Sequence, residues 1–379
     1  MEGRRASPHG SRRPPLVNAP SRPSLLPHLL AALCAFAIGY ASLQPFSPWI
    51  APVPGTPFFL LGPWPFRWTR FDLAANALAY LPFGFFVALV PRRRPPLGRL
   101  SVAIAAGAAL SFAMETLQMF RPPRDANAFD LIANMAGAAA GGLLAIAFAR
   151  SARARRAVRG ARERWFMSGL VGDLGIALLA IWLAMQTNPG IPLFATMYDP
   201  TPPLGPAVAG LTTTPDAAAV IVEAAHSAFQ LLGVGLFLAL LLRERRFVGG
   251  AVLVLVGAAL LVKGVAAAVL LKPAVWEQWL APGVSIGVAT GALLLLVAIF
   301  LPRPVEVALC AIALLSSLLA TLFAPDLLHA RPPLAQFNAP YGHLSNFNGL
   351  THTVLLAWPV VATAFLFALA ARPRWGEPH

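Results

Sequence analysis

The chain has 379 residues, 58% of them hydrophobic and only 12% charged, whereas soluble domains carry about 25% charged residues. That balance excludes an ordinary soluble enzyme and points to a polytopic membrane protein. The net charge of +14 does not mark a nucleic-acid binder, because the arginines stand in short blocks between apolar runs, without aromatic interleaving or a nucleic-acid motif.

Residues 1–24 are rich in Arg, Pro and Ser and are expected to form a disordered basic cytoplasmic tail. A signal peptide is the rival reading of this start. The apolar run from Leu25 to Leu43 exceeds the usual core of roughly 7 to 15 residues and lacks an A-x-A-like cleavage site. It is therefore taken as the first of ten membrane spans, expected near 25–43, 73–91, 100–120, 129–149, 168–188, 217–242, 248–271, 283–301, 307–324 and 350–370. Orientation follows from Lys and Arg. With the N-terminus in the cytoplasm, 22 of these residues fall inside, 6 outside, and Lys263 within a span. The expected fold is thus an all-α transmembrane helix bundle of about ten spans with both termini cytoplasmic, placed in the inner (plasma) membrane. The chain divides into the tail, a four-helix unit at 25–150, a basic cytoplasmic linker at 151–167, a second four-helix unit at 168–301, two further spans with an outer loop at 302–371, and a C-terminal tail at 372–379.

The most informative stretch is 111–141, where two apolar helical segments meet at a short loop. Glu115 and Gln118 lie three apart at the end of one, Asp130 and Asn134 four apart at the start of the next, with Arg121 and Arg124 between them. Residues at these spacings share a helix face. Asp72 and Asn76 add a third pair at the same level, ahead of Tyr80 and Leu-Pro-Phe-Gly at 81–84. An ionisable group inside a membrane costs about 2.5 kcal/mol or more unless paired or facing a cavity, so such a cluster is a functional-site candidate. The eight candidate ligand-binding residues are Asp72, Asn76, Glu115, Gln118, Arg121, Arg124, Asp130 and Asn134. Of these, Glu115, Arg124 and Asp130 could also serve catalysis. Gly137 and Gly141, four apart, offer a face for close helix packing.

These residues resemble the VanZ-like family, whose pattern runs N-x(5)-P-F-G, then E-x-x-Q, an Arg, and D-x-x-x-N followed by spaced glycines. Here they stand as Asn76 with Pro82-Phe83-Gly84, Glu115 with Gln118, Arg124, Asp130 with Asn134, and Gly137 with Gly141. The resemblance covers about 25–150. Asn127 departs from it, standing where the family often has a short acidic or hydroxyl residue, so no catalytic carboxylate is supported there. The family's named member is associated with low-level resistance to the glycopeptide teicoplanin without an established reaction. The resemblance therefore implies an envelope-related membrane role and no catalytic mechanism.

The second half is a candidate degenerate repeat. A shift of 151 sets Asp72 on Glu223 and Gly84 on Gly235, and a shift of 150 sets Gly137 and Gly141 on Gly287 and Gly291, but nothing there restores the E-x-x-Q and D-x-x-x-N pairs. Glu223, His226 and Gln230 share a face and read as a hydrogen-bonded structural group, since a zinc site needs at least three ligands. Lys263 is expected to snorkel or to meet Glu223. His329, His343 and His352 are too widely spaced for a compact metal motif, and Cys34 and Cys310 for a readable disulfide or metal site. No metal and no cofactor are expected. Three readings remain open: a site binding a membrane lipid or lipid-linked cell-wall precursor, which is preferred; an intramembrane transferase or hydrolase using Glu115 as base and Arg124 as anion stabiliser; and a structural scaffold.

Overall fold

The computed structural model describes residues 24–62, 69–121, 126–189, 215–274, 276, 278–280, 282–323 and 342–372. Arg124, the tail before residue 24, His329 and the C-terminal tail after residue 372 lie outside them. The described residues form eleven α-helices: α1 (Leu26–Leu43), α2 (Arg70–Leu89), α3 (Pro96–Gln118), α4 (Ala128–Arg150), α5 (Ala152–Trp165), α6 (Gly169–Met185), α7 (Pro215–Leu241), α8 (Val248–Leu270), α9 (Pro282–Ala298), α10 (Arg303–Phe323) and α11 (Gly342–Ala370). Among these residues there is no strand, only an isolated antiparallel bridge between Phe166 and Leu242.

Every expected span falls on a helix. Among the described residues, seven helices are long and apolar enough to cross a membrane, namely α1 to α4, α7, α8 and α11, and α6 and α9 are shorter apolar helices. The architecture is that of a multi-pass membrane protein. The one helix not expected is α5, which occupies the basic linker. Its arginines and a flank of Ala154, Val158, Ala161 and Trp165 fall on different sides of the helix. Helix starts follow local chemistry. Thr69 and Asp72 make a reciprocal capping box at α2, Pro96 occupies the first turn of α3, and Asn127 and Ser151 cap α4 and α5.

The first unit is built on the contact between α2 and α4. A Cβ added at Gly137 would strike the Ala77 carbonyl, one at Gly141 the Leu81 carbonyl, and one at Gly84 the backbone of Ala138. The two backbones touch because no side chain stands between them, the geometry that small residues permit in apolar helices. The second unit uses the same device, with Gly287 against the Ala224 carbonyl and Gly291 against Ala228, joining α7 to α9. Around that pair lies the largest apolar core, centred on Leu236, Phe237, Leu314 and Leu366.

Helix α1 joins the units. At its start, Asp173 of α6 accepts from Ser24 Oγ (2.9 Å) and the Leu25 N–H (2.8 Å) and pairs with Arg162 of α5 (2.9 Å). Near its other end the Tyr40 hydroxyl meets Thr353 Oγ1 of α11 at 2.6 Å. Lys263 is fully buried and donates to the Asn188 carbonyl at 2.8 Å rather than reaching a surface. The Asn188 amide in turn donates to Asn348 Oδ1 and Thr351 Oγ1, both at 2.7 Å.

Gly141→Ile is expected to lower stability by about 3 kcal/mol or more, because overpacking here meets backbone that no rotamer change can relieve. Gly249→Ala in α8, where a Cβ meets nothing within 4 Å, should be neutral or slightly stabilising. Thermal melts of both variants in detergent check the contrast.

Candidate functional site

Three helices each bring two polar residues four apart to one end of the first unit: Asn76 and Tyr80 from α2, Ser111 and Glu115 from α3, and Asp130 and Asn134 from α4. The four-residue period keeps each pair on one face, and the glycine contact between α2 and α4 brings the faces together.

At the partly exposed end, Asn76 Nδ2 donates to Asp130 Oδ1 at 2.7 Å. Asn127 Nδ2 donates to Asp130 Oδ2 (3.0 Å), while Asn127 Oδ1 accepts from the Asp130 N–H (2.9 Å). Asn127 thus caps α4, and Asp130 stands in the first turn, where a carboxylate is favoured by the helix dipole. The Asn127 N–H continues the chain to Glu115 Oε2 at 3.0 Å. A continuous hydrogen-bond path therefore runs from α2 through the start of α4 to α3, and Glu115 at its end is only 4% exposed.

One turn deeper, Asn134 Nδ2 donates to Ser111 Oγ at 2.9 Å. The Tyr80 hydroxyl faces Ser111 and lies in the field of Glu115 and Asp130. Tyr80 is 3% and Asn134 5% exposed, yet Asn134 Oδ1 has no hydrogen-bond partner and Tyr80 Oη, beside Ser111, meets none in good geometry. Buried polar atoms are nearly always paired in folded proteins, and an orphan calls for an explanation. The inner end of the site thus presents one hydroxyl donor and one amide acceptor, the complement of a ligand hydroxyl or a water.

The remaining candidates are placed elsewhere. Asp72 Oδ2 accepts from the Thr69 N–H (3.0 Å) and hydroxyl (2.7 Å), which fixes the start of α2. Gln118 Nε2 donates to the Ser42 carbonyl at 3.0 Å and ties α3 to the end of α1. Arg121 donates from Nη1 to the Pro48 carbonyl (3.0 Å) and lies over the Trp49 ring at 5.3 Å, and among the described residues it bonds no carboxylate. Pro48 and Trp49 belong to the segment 44–62, which folds against the end of α3 through the Ile50 N–H to the Phe120 carbonyl (3.0 Å) and the rings of Phe58, Phe59 and Phe112. Sequence reasoning missed Ser111, Tyr80 and the linking role of Asn127. The available signal for the first two was the same four-residue spacing, measured backward from Glu115 and forward from Asn76. Among the described residues, no group of three or more His, Cys, Asp or Glu side chains is placed to hold a metal ion.

Fold and site together define a multi-pass α-helical membrane protein with a buried polar cluster at one end of its first four-helix unit. Residues 29–149 match the model of the VanZ/LLP1 family, in agreement with the motif resemblance, and this segment carries every residue of the converging cluster. The helices beyond it are a further apolar extension. No curated protein and no solved structure matches the chain.

The contact between Asn76 and Asp130 should be energetically coupled. Residues sharing one hydrogen-bond network show interaction energies of about 0.5 to 3 kcal/mol. A cycle of Asn76→Ala, Asp130→Ala and the double variant, read by thermal melts, is expected to show a double loss smaller than the sum of the single ones. Strict additivity would remove the direct contact.

Proposed function

We propose that this VanZ-like protein lies in the inner (plasma) membrane with both termini in the cytoplasm, and that its polar cluster faces the outer leaflet and binds the headgroup of an envelope lipid or a lipid-linked cell-wall precursor. The observation that carries the reading is the pair of unpartnered atoms, Tyr80 Oη and Asn134 Oδ1, at the buried end of a site whose other members are hydrogen-bonded. Unpartnered buried atoms also occur elsewhere among the described residues, at Ser227 Oγ, Trp279 Nε1 and Thr363 Oγ1; here two of them converge on one polar cluster, each with a desolvation cost that a ligand would offset. A site that receives a hydroxyl-bearing headgroup uses both.

The orientation is supported by the distribution of Lys and Arg, 22 against 6. It predicts that, with Cys34 and Cys310 replaced by Ala, an impermeant maleimide labels Ala126→Cys in intact cells and labels Arg159→Cys only after permeabilisation. Labelling of Arg159→Cys in intact cells would invert the topology and move the cluster to the cytoplasmic leaflet.

The binding role is tested by Asn134→Leu. This change removes a buried acceptor that has no partner together with one hydrogen bond, so the melting temperature should move by no more than a few degrees. Mass spectrometry of lipids and glycan intermediates co-purifying with the wild-type protein is expected to find a species that the variant lacks. The variant should also fail to restore any envelope phenotype of a deletion strain. Full complementation by Asn134→Leu would sink the headgroup reading in favour of a scaffold.

A further inference from the structure

Arg121 is the largest side chain among the fully buried residues, at 1% exposure. Its guanidinium is held on two sides: Nη1 donates to the Pro48 carbonyl at 3.0 Å, and the plane lies over the Trp49 ring at 5.3 Å. The two nitrogens without a partner among the described residues are Nε and Nη2. These form one edge of the guanidinium, with N–H bonds directed so that two oxygens of a phosphate or carboxylate accept side by side. The side chain is therefore oriented by a carbonyl and a ring, with its bidentate edge left over. Leaving charged donors buried and unbonded is unfavourable, so this edge is suited to an anion.

The surroundings indicate how that anion arrives. Segment 44–62 next to Arg121 exposes Trp49, Ile50, Val53 and Leu61, and the adjoining end of α3 exposes Leu117 and Phe120. In a chain whose neighbouring helices are apolar enough to cross a membrane, such a surface lies against acyl chains or at their boundary with the headgroups. We propose that Arg121 is an anion subsite that takes the phosphate of a membrane lipid through Nε and Nη2, with the lipid chains lying along the apolar surface of segment 44–62 and the end of α3. The subsite rests on the headgroup reading and adds the charge of the ligand to it: the cluster at Tyr80 and Asn134 meets hydroxyls, and Arg121 meets the phosphate.

The test uses the full chain in a non-ionic detergent. Native mass spectrometry follows binding of dioleoylphosphatidic acid and of dioleoylglycerol, which has the same chains and no phosphate, with inorganic phosphate as competitor. The wild-type protein should prefer the phosphatidic acid by about tenfold or more, the scale of a single charge-assisted contact. Arg121→Lys keeps the charge but loses the planar edge, and should lose most of that preference. Arg121→Gln should bind both lipids alike. If Arg121→Gln melts too low to be assayed, Arg121→Lys decides alone. Full preference retained in the assayable variants overturns the subsite and leaves the headgroup reading standing, provided that Asn134→Leu still loses the co-purifying species. Displacement of phosphatidic acid by an equal concentration of inorganic phosphate would identify a soluble anion as the occupant and overturn the lipid source. Failure of the wild-type protein to bind either lipid, together with no species lost in Asn134→Leu, overturns both.

Discussion

The first four-helix unit depends on the direct backbone contact of α2 with α4. Gly84, Gly137 and Gly141 are positions where even one methyl group would meet main chain, so the two helices pack backbone against backbone. That closeness is what lets short side chains do the work of the site. Asn76 and Asp130 reach each other at 2.7 Å with one methylene each, and neither could do so if a Leu or Phe stood between the helices. The choice of Asn and Asp in the cluster and the choice of Gly below it are thus two consequences of one separation.

The second unit repeats the packing without the chemistry. Gly287 and Gly291 seat α9 against α7 much as Gly137 and Gly141 seat α4 against α2, but Val284 lies fully buried one turn before Gly287, in the way that Asn134 lies one turn before Gly137. Among the buried polar groups of the C-terminal half, four serve as cross-links. Lys263, Asn188, Asn348 and Thr351 bind α8, the end of α6 and α11 together, and buried Lys and Asn in apolar helices require such partners because hydrocarbon supplies none.

The sequence made the helices and four of the seven cluster residues, Asn76, Glu115, Asp130 and Asn134, legible for physical reasons. Apolar runs of about 20 residues have few alternatives to spanning helices, and Glu115, Asp130 and Asn134 stood out because carboxylates and amides are rare in such runs. Ser111 and Tyr80 did not, since a serine or tyrosine passes unnoticed in an apolar helix until its neighbours are known. Gln118 and Asp72 met the same criterion as the cluster residues and are used for other bonds, one to the end of α1 and one to its own helix cap. Spacing along a helix gives a face, but it does not give the element lying opposite. Segment 44–62 was opaque for a related reason, because its position over α3 depends on the bond from Ile50 to Phe120 and on ring packing that no periodic pattern encodes. Helix α5 was hidden by its charge, which suited a linker as well as an amphipathic helix.

The start of α1 has a consequence for biogenesis. Its first polar groups, Ser24 and the Leu25 N–H, are bonded to Asp173, a residue 149 positions further along the chain. At roughly 5 to 20 residues per second, synthesis reaches that carboxylate about 7 to 30 s after Ser24 is made. During this interval α1 to α4 can enter the membrane and α2 can close on α4, but Ser24 Oγ and the Leu25 N–H must be satisfied by water. The carboxylate that completes it arrives with α6; until then the first unit supplies the leading end of α1 with one link of its own, Arg92 Nη2 donating to the Ser24 carbonyl at 3.2 Å.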